Sequence, residues 1–114
     1  MHEVGIAQAA LDQALEQAQR AGAVRIHRIV LRVGTLSGVE PTALEFAMQT
    51  LLPGSIADGA GLEIEPVPAL ARCRSCSHEY SPSDGLLFEC PHCGALASTV
   101  LRGRELELAR LEIS

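Results

Sequence analysis

The stretch Leu106-Glu107-Leu108-Ala109-Arg110-Leu111-Glu112-Ile113 decides how this chain folds. Leu106 and Leu108 alternate with Glu107, and Leu111 and Ile113 alternate with Glu112. That is the period of a strand with one buried and one wet face. The phase slips at Ala109-Arg110, which predicts an irregularity there. The strand comes last, after a segment, residues 73–94, that is rich in Cys, His, Ser and Pro and poor in branched apolar residues. It must therefore return to apolar material that precedes that segment.

That material lies in residues 1–72. Val4, Ala7, Leu11, Ala14, Leu15 and Ala18 recur at steps of three or four, so residues 4–21 are predicted as an amphipathic helix stopped by Gly22. Val24 to Val33 reads as a strand, with a phase break at His27-Arg28 that suggests a bulge. Pro41 suits the first position of a second helix over residues 41–52, with Leu44, Ala47, Met48 and Leu51 as its stripe and Pro53-Gly54 as its end. Leu62, Ile64 and Val67 mark another strand, placed at a sheet edge because Pro66 and Pro68 cannot donate to a ladder. The expected fold class is α+β, a small mixed α/β body. Two helices pack on one face of a roughly three-stranded sheet, and a zinc-ribbon module projects from it. Residues 1–72 plus 95–114 would form the body, and residues 73–94 the module inserted before the last strand.

Composition removes several classes of function. The chain has 114 residues, room for one domain carrying a small module. Aromatic residues are 3% of it, too few for a base-stacking platform. The formal net charge of −5 disfavours phosphate backbones and anionic membranes, so neither nucleic acid nor membrane is an expected partner. No stretch is apolar for long enough to span a bilayer, and no basic-then-apolar leader is visible, so a cytoplasmic protein is expected. No nucleophile–base pair is recognisable. Gly34-Thr35-Leu36-Ser37-Gly38 lacks the Lys of a phosphate-binding loop. The expectation is a protein that is not an enzyme.

The Cys-rich segment carries the clearest chemistry. Cys73-Arg74-Ser75-Cys76 and Cys90-Pro91-His92-Cys93-Gly94 are paired CxxC turns separated by residues 77–89. Each turn converges two thiolates, and two turns complete the tetrahedral sulfur shell that zinc prefers. Gly94 suits a tight knuckle that needs a positive φ, and Ser81-Pro82-Ser83-Asp84-Gly85 can turn the chain back. Four Cys ligands leave no open position for water, which argues for a structural or sensing ion and against catalysis at it. Iron is a chemical alternative for the same shell. A thiol redox site lacks the expected βαβ context. His78 and His92 lie near the shell as bystanders, partners or exchangeable ligands.

Met1-His2-Glu3 supplies a second donor set. The Met1 amine, the His2 backbone nitrogen and the His2 imidazole can close adjacent chelate rings, and Glu3 or water can add an oxygen. Nitrogen-rich tetragonal or square-planar sites suit Ni(II) and Cu(II).

Taken together, several motifs resemble the HypA/HybF family of nickel-incorporation proteins for hydrogenase maturation. They are Met1-His2-Glu3, Val39-Glu40-Pro41 opening a helix with Leu44-Glu45-Phe46-Ala47, the paired CxxC with Cys90-Pro91-x-Cys93-Gly94, and Gly103-Arg104-Glu105-Leu106. The resemblance covers essentially the whole chain in the same motif order. It implies Ni(II) held by Met1, His2 and Glu3, and Zn(II) held by Cys73, Cys76, Cys90 and Cys93. It also implies a metallochaperone that passes nickel, with a hydrogenase maturation GTPase, to the [NiFe]-hydrogenase large subunit. In some organisms the acceptor is urease, through its accessory proteins. His78 matches a His linked in some members to changes at zinc. Members often carry Ser where this chain has Gly5, which loosens the first helical turn without removing a ligand. A terminal chelate on a flexible end would release its metal stepwise to a partner. The alternative reading is a zinc-ribbon adaptor without a nickel role, to which the terminus would be irrelevant.

Overall fold

The computed structural model describes residues 2–82 and 88–114. Eight elements follow one another: α1 (His2–Arg20), β1 (Ile26–Gly34), α2 (Pro41–Leu51), β2 (Gly61–Val67), β3 (Leu70–Cys73), β4 (Glu79–Tyr80), β5 (Ser98–Arg102) and β6 (Leu106–Ile113). They build two three-stranded sheets, ordered β2-β1-β6 and β4-β3-β5. The Cα radius of gyration is 17.4 Å, against ~13 Å for a compact chain of this length. The second sheet therefore stands off from the body.

The body follows the apolar spacing. Ala7, Leu11, Ala14 and Ala18 are the buried stripe of α1, and their small side chains let the helix settle closely on its neighbours. Leu44, Ala47 and Met48 are the buried stripe of α2. These stripes pack with Ile29, Leu31 and Val33 of β1 into one core, flanked by Leu62, Ile64, Leu108 and Leu111. Both helices thus cover one face of the first sheet. At the start of α2, Pro41 sits in the first turn and the Glu40 carboxylate accepts from the Ala43 N–H at 2.8 Å. That side chain satisfies a donor the helix itself leaves unpaired.

β1 is the central strand, parallel to β2 and antiparallel to β6. Its register against β6 shifts between Ile26 and Arg28, and again between Val30 and Leu31, where Ala109 is skipped. Both phase breaks visible in the sequence are therefore real irregularities. β2 lies at one edge, as Pro66 requires, and β6 at the other. The uncovered face is a ladder of opposite charges. Arg28 meets Glu63 and Glu112 (3.9 Å), Arg32 meets Glu65 (3.4 Å) and Glu107 (3.5 Å), and Arg110 meets Glu65 (3.2 Å). Val30 is buried beneath the arginine stems. Exposed pairs of this kind contribute little each, but a one-residue slip would put these charges into the core.

The second sheet extends past the Cys-rich segment. Its central strand β3 begins at Leu70 and its edge strand β5 is Ser98–Arg102, so residues on both sides of 73–94 pair to frame it. Neither short strand is predicted by the apolar pattern, because only Ala71 and Cys73 in them are buried. The two crossings between the sheets pass the loop after β1. The Thr35 N–H donates to Val67 O (3.0 Å), the Leu36 N–H to Gly103 O (2.6 Å), and the Ala69 N–H to Thr35 Oγ1 (3.1 Å).

Two glycines permit this crossing. A Cβ on Gly34 would overlap the Gly103 carbonyl. A Cβ on Gly103, whose φ is +119°, would lie 2.7 Å from Ala69 Cα. Backbone on both sides leaves neither chain free to move. Gly34→Ala is therefore expected to lower the melting temperature by more than ~10 °C, as overpacking against a rigid neighbour does in a small domain. Differential scanning calorimetry checks this, and an unchanged transition would contradict the packing.

Candidate metal centres

The four cysteines converge. One Sγ from each of Cys73, Cys76, Cys90 and Cys93 lies within 4.8 Å of all the others, the only such group of metal-ligating side chains among the described residues. Cys73 and Cys93 are 3.5 Å apart, and Cys76 and Cys90 3.6 Å. A tetrahedral zinc with ~2.3 Å bonds to sulfur needs sulfurs ~3.8 Å apart, so the cluster fits the ion.

Both CxxC turns have the same backbone plan. The Cys73 N–H donates to His78 O and the Cys90 N–H to Ala95 O, both at 2.9 Å. The Ser77 N–H returns to Cys73 O (2.9 Å) and the Gly94 N–H to Cys90 O (2.8 Å). Each knuckle places the residue after its second cysteine in the left-handed region, Ser77 at φ 66° and Gly94 at φ 76°. The positive φ expected of Gly94 is thus present, and Ser77 bears the steric cost that Gly94 avoids.

The electrostatics of the cluster call for a cation. N–H groups of Cys76 and then Ser75, opposed by lost hydration, bring the Cys73 thiol down to about 6. At Cys76 the His78 N–H pulls the thiol down, but lost hydration and the neighbouring Cys90, Cys93 and Cys73 sulfurs outweigh it and push it up to about 12. Cys93 is raised as well, its neighbours Cys73 and Cys90 outweighing the Ala95 N–H. Thiols this close cannot all ionise unaided, and a bound dication removes that penalty. His78 and His92 are outside this shell. Their rings stack on each other with centroids 5.3 Å apart and planes at 25°. The turn expected over Ser81–Gly85 falls largely outside the described residues.

The N-terminal donor set is held differently from the expectation. α1 begins at His2, not at Val4, so this end is not a loose tail. What orders it is a loop distant in sequence. His2 Nε2 lies 3.2 Å from Gly38 O, and the Glu40 N–H donates to Glu3 Oε2 at 3.3 Å. His2 Nε2 is also 3.3 Å from Glu3 Oε2. A carbonyl can only accept, so Nε2 is the donor in this contact, and in the neutral imidazole the lone pair is then on Nδ1. The first N–H groups of a helix have no partner within it, so the His2 backbone nitrogen is unencumbered by α1. His2 stays open, its side chain 61% exposed, whereas that of Glu3 is 12% exposed. The Glu3 and Glu40 N–H groups hold the Glu3 carboxyl below its usual range. Its stabilising contribution is present above the ordinary carboxylate range and is lost as pH falls through the lowered value. Met1 lies outside the described residues. The sequence did not reveal Gly38 and Glu40 as neighbours of this end, because the contact spans more than thirty positions and carries no local signal.

Comparison with known proteins agrees with this layout. A family described as hydrogenase/urease nickel incorporation, metallochaperone, HypA matches residues 1–113. The hydrogenase maturation factor HypA of a Picosynechococcus species is 40% identical, over 99% of this chain and 99% of its own. That of a Roseiflexus species is 42% identical, over 98% of this chain and 91% of its own. Among solved structures, the solution structure of the Ni metallochaperone HypA from Helicobacter pylori is similar with a TM-score of 0.70 and 25% identity. That match covers 97% of this chain and 96% of the other.

Proposed function

We propose, on the premise that this chain belongs to the HypA family of hydrogenase and urease nickel-incorporation metallochaperones, that it carries Ni(II) on its own N-terminus. The family's work is metal delivery, not catalysis. The ligands would be the Met1 amine, the His2 backbone nitrogen, the His2 imidazole through Nδ1, and Glu3. The observation that carries this reading is the Gly38 carbonyl on His2 Nε2. It selects the tautomer whose Nδ1 can close a chelate ring with its own backbone nitrogen, as outer hydrogen bonds commonly orient ligating imidazoles.

In this reading Cys73, Cys76, Cys90 and Cys93 hold Zn(II) in a closed, structural shell. The first sheet with α1 and α2 serves as the nickel-binding body, and residues 73–94, framed by β3 and β5, as the zinc module. The acceptor is the [NiFe]-hydrogenase large subunit or urease through its accessory proteins, and a maturation GTPase takes part in transfer, in the cytoplasm. No described helix is long and apolar enough to cross a membrane. Affinity for nickel rises with pH, because the amine, amide and imidazole must shed protons to bind. An open, solvent-facing site also lets an acceptor's ligands replace its own one at a time.

Nickel-edge X-ray absorption on untagged, zinc-loaded protein with one equivalent of Ni(II) tests the donor set. A shell of nitrogen and oxygen with an imidazole signature is expected. Sulfur in the nickel shell would place the cargo on the cysteines and overturn the reading.

A further inference from the structure

Each sulfur of the cysteine cluster lies close to one on the other knuckle. Cys73 Sγ is 3.5 Å from Cys93 Sγ, and Cys76 Sγ is 3.6 Å from Cys90 Sγ. Each of these pairs joins a buried cysteine, Cys73 or Cys90, to an exposed one, Cys93 or Cys76. Within its own knuckle the Cys73 sulfur meets backbone, accepting from the Ser75 N–H at 3.4 Å. A disulfide needs its sulfurs ~2.05 Å apart, so either cross pair has to close by only ~1.5 Å.

The backbone under both pairs is tied independently of any ion. The Cys73 N–H is held by His78 O and the Cys90 N–H by Ala95 O. The Arg74 N–H donates to Ala97 O at 2.9 Å, and β3 pairs with β5 as far as Cys73 opposite Ser98. Bonds across the knuckles would join two turns that already face each other. Bonds inside each knuckle would leave the two turns unconnected.

We propose that the cluster is a peroxide-sensitive latch, in which oxidation joins Cys73 to Cys93 and Cys76 to Cys90, lets the metal go and keeps the module folded. The inference rests on the reading of the cluster as a zinc site. Access favours the exposed sulfur of each pair as the first to react. The thiolate of Cys93 or Cys76 attacks one peroxide oxygen, the O–O bond breaks, hydroxide leaves and the sulfur becomes a sulfenic acid. The buried thiolate, Cys73 or Cys90, then attacks that sulfur and displaces a second hydroxide, which closes the disulfide. Each bond thus passes two electrons to one peroxide, and two peroxides turn four thiolates into two disulfides. Zinc is held by thiolate, so the oxidised sulfurs no longer retain it. The Cys76–Cys90 bond closes inside the Cys73–Cys93 loop, and both restrain the unfolded chain where the ion had done so. A dithiol reductant returns the four thiols, which bind zinc again as they lose their protons.

The test treats the full, nickel-free, zinc-loaded chain with about two equivalents of hydrogen peroxide. Metal content before treatment reads the zinc assignment by itself, and a chain that binds no zinc would overturn both that reading and the latch. A chromophoric chelator then reads the Zn(II) set free. Cleavage at Glu and Arg followed by tandem mass spectrometry assigns the bonds. Full release of zinc is expected, with Cys73 bonded to Cys93 and Cys76 to Cys90, and dithiothreitol should reverse both. Amide exchange should show β3 and β5 still protected in the oxidised chain, unlike the reduced chain stripped by a chelator. Zinc retained at this dose would contradict the latch. So would bonds within each CxxC turn, a Cys73–Cys90 bond, or an oxidised module whose strands lose their protection.

Discussion

His2→Ala should abolish tight nickel binding while leaving the fold and the cysteine cluster as they are. The imidazole is one of the two side chains proposed as ligands, and its loss opens the chelate ring it shares with its own backbone nitrogen. A lost chelating ligand costs more than one exposed contact, and at least a ~100-fold fall in affinity is expected, about 2.7 kcal/mol. The fold should not notice. The side chain is largely exposed and its partner Gly38 O faces solvent. Ala is also the better helix former at the start of α1. Calorimetric titration with Ni(II) reads the affinity, and a melt of the same sample reads the fold. His2→Gln keeps a polar side chain without the ring nitrogen and should fail in the same way. Wild-type affinity in both variants would put the cargo elsewhere.

Stripping the metal from the cysteines should unfold the second sheet and spare the first. Four residues are buried in that module: Ala71, Cys73, Tyr80 and Cys90, with Phe88 and Ala95 packed beside them. Two of the four are proposed ligands. Without an ion, crowded thiols replace the centre of that core, and no apolar reserve remains to offset the chain entropy. Zinc supplies roughly 10–16 kcal/mol of apparent folding free energy to modules of this kind. Amide hydrogen exchange before and after chelation should show β3, β4 and β5 losing protection, including the Tyr80 strand whose hydroxyl meets Ser98 Oγ at 2.6 Å. β1 and α2 should keep theirs, since their core is built from Ile29, Leu31, Leu44 and Met48. Re-added Zn(II) should restore the pattern. A second sheet that stays protected without metal would show that its residues suffice.

Those two experiments touch features that differ in how openly the sequence displays them. The CxxC pairs, the stripes of α1 and α2 and the two slips in strand phase are local patterns, and each has its counterpart in the fold, except that Val4 of the α1 stripe is exposed. Gly94 has the left-handed conformation its place after Cys93 suggests, but Ser77 shares it without being the residue type that announces it. β3 and β5 were hidden because their partners, more than a pattern of buried side chains, define them. The hold of Gly38 and Glu40 on His2 and Glu3 was hidden for a related reason. Its contacts use backbone groups, which every residue has, and only the packing of α1 against α2 brings them together. The crossing of Gly34 and Gly103 is of the same kind.

The central claim is that the terminal amine, with His2 beside it, holds the cargo. One extra residue placed before Met1 moves the amine away and turns the Met1 nitrogen into an ordinary amide, while every side chain stays present. Nickel titration of this extended protein against the untagged one, both zinc-loaded, is the most direct test. A terminal chelate predicts a loss of at least ~100-fold in affinity with unchanged zinc content. Equal affinity in the two proteins would contradict it.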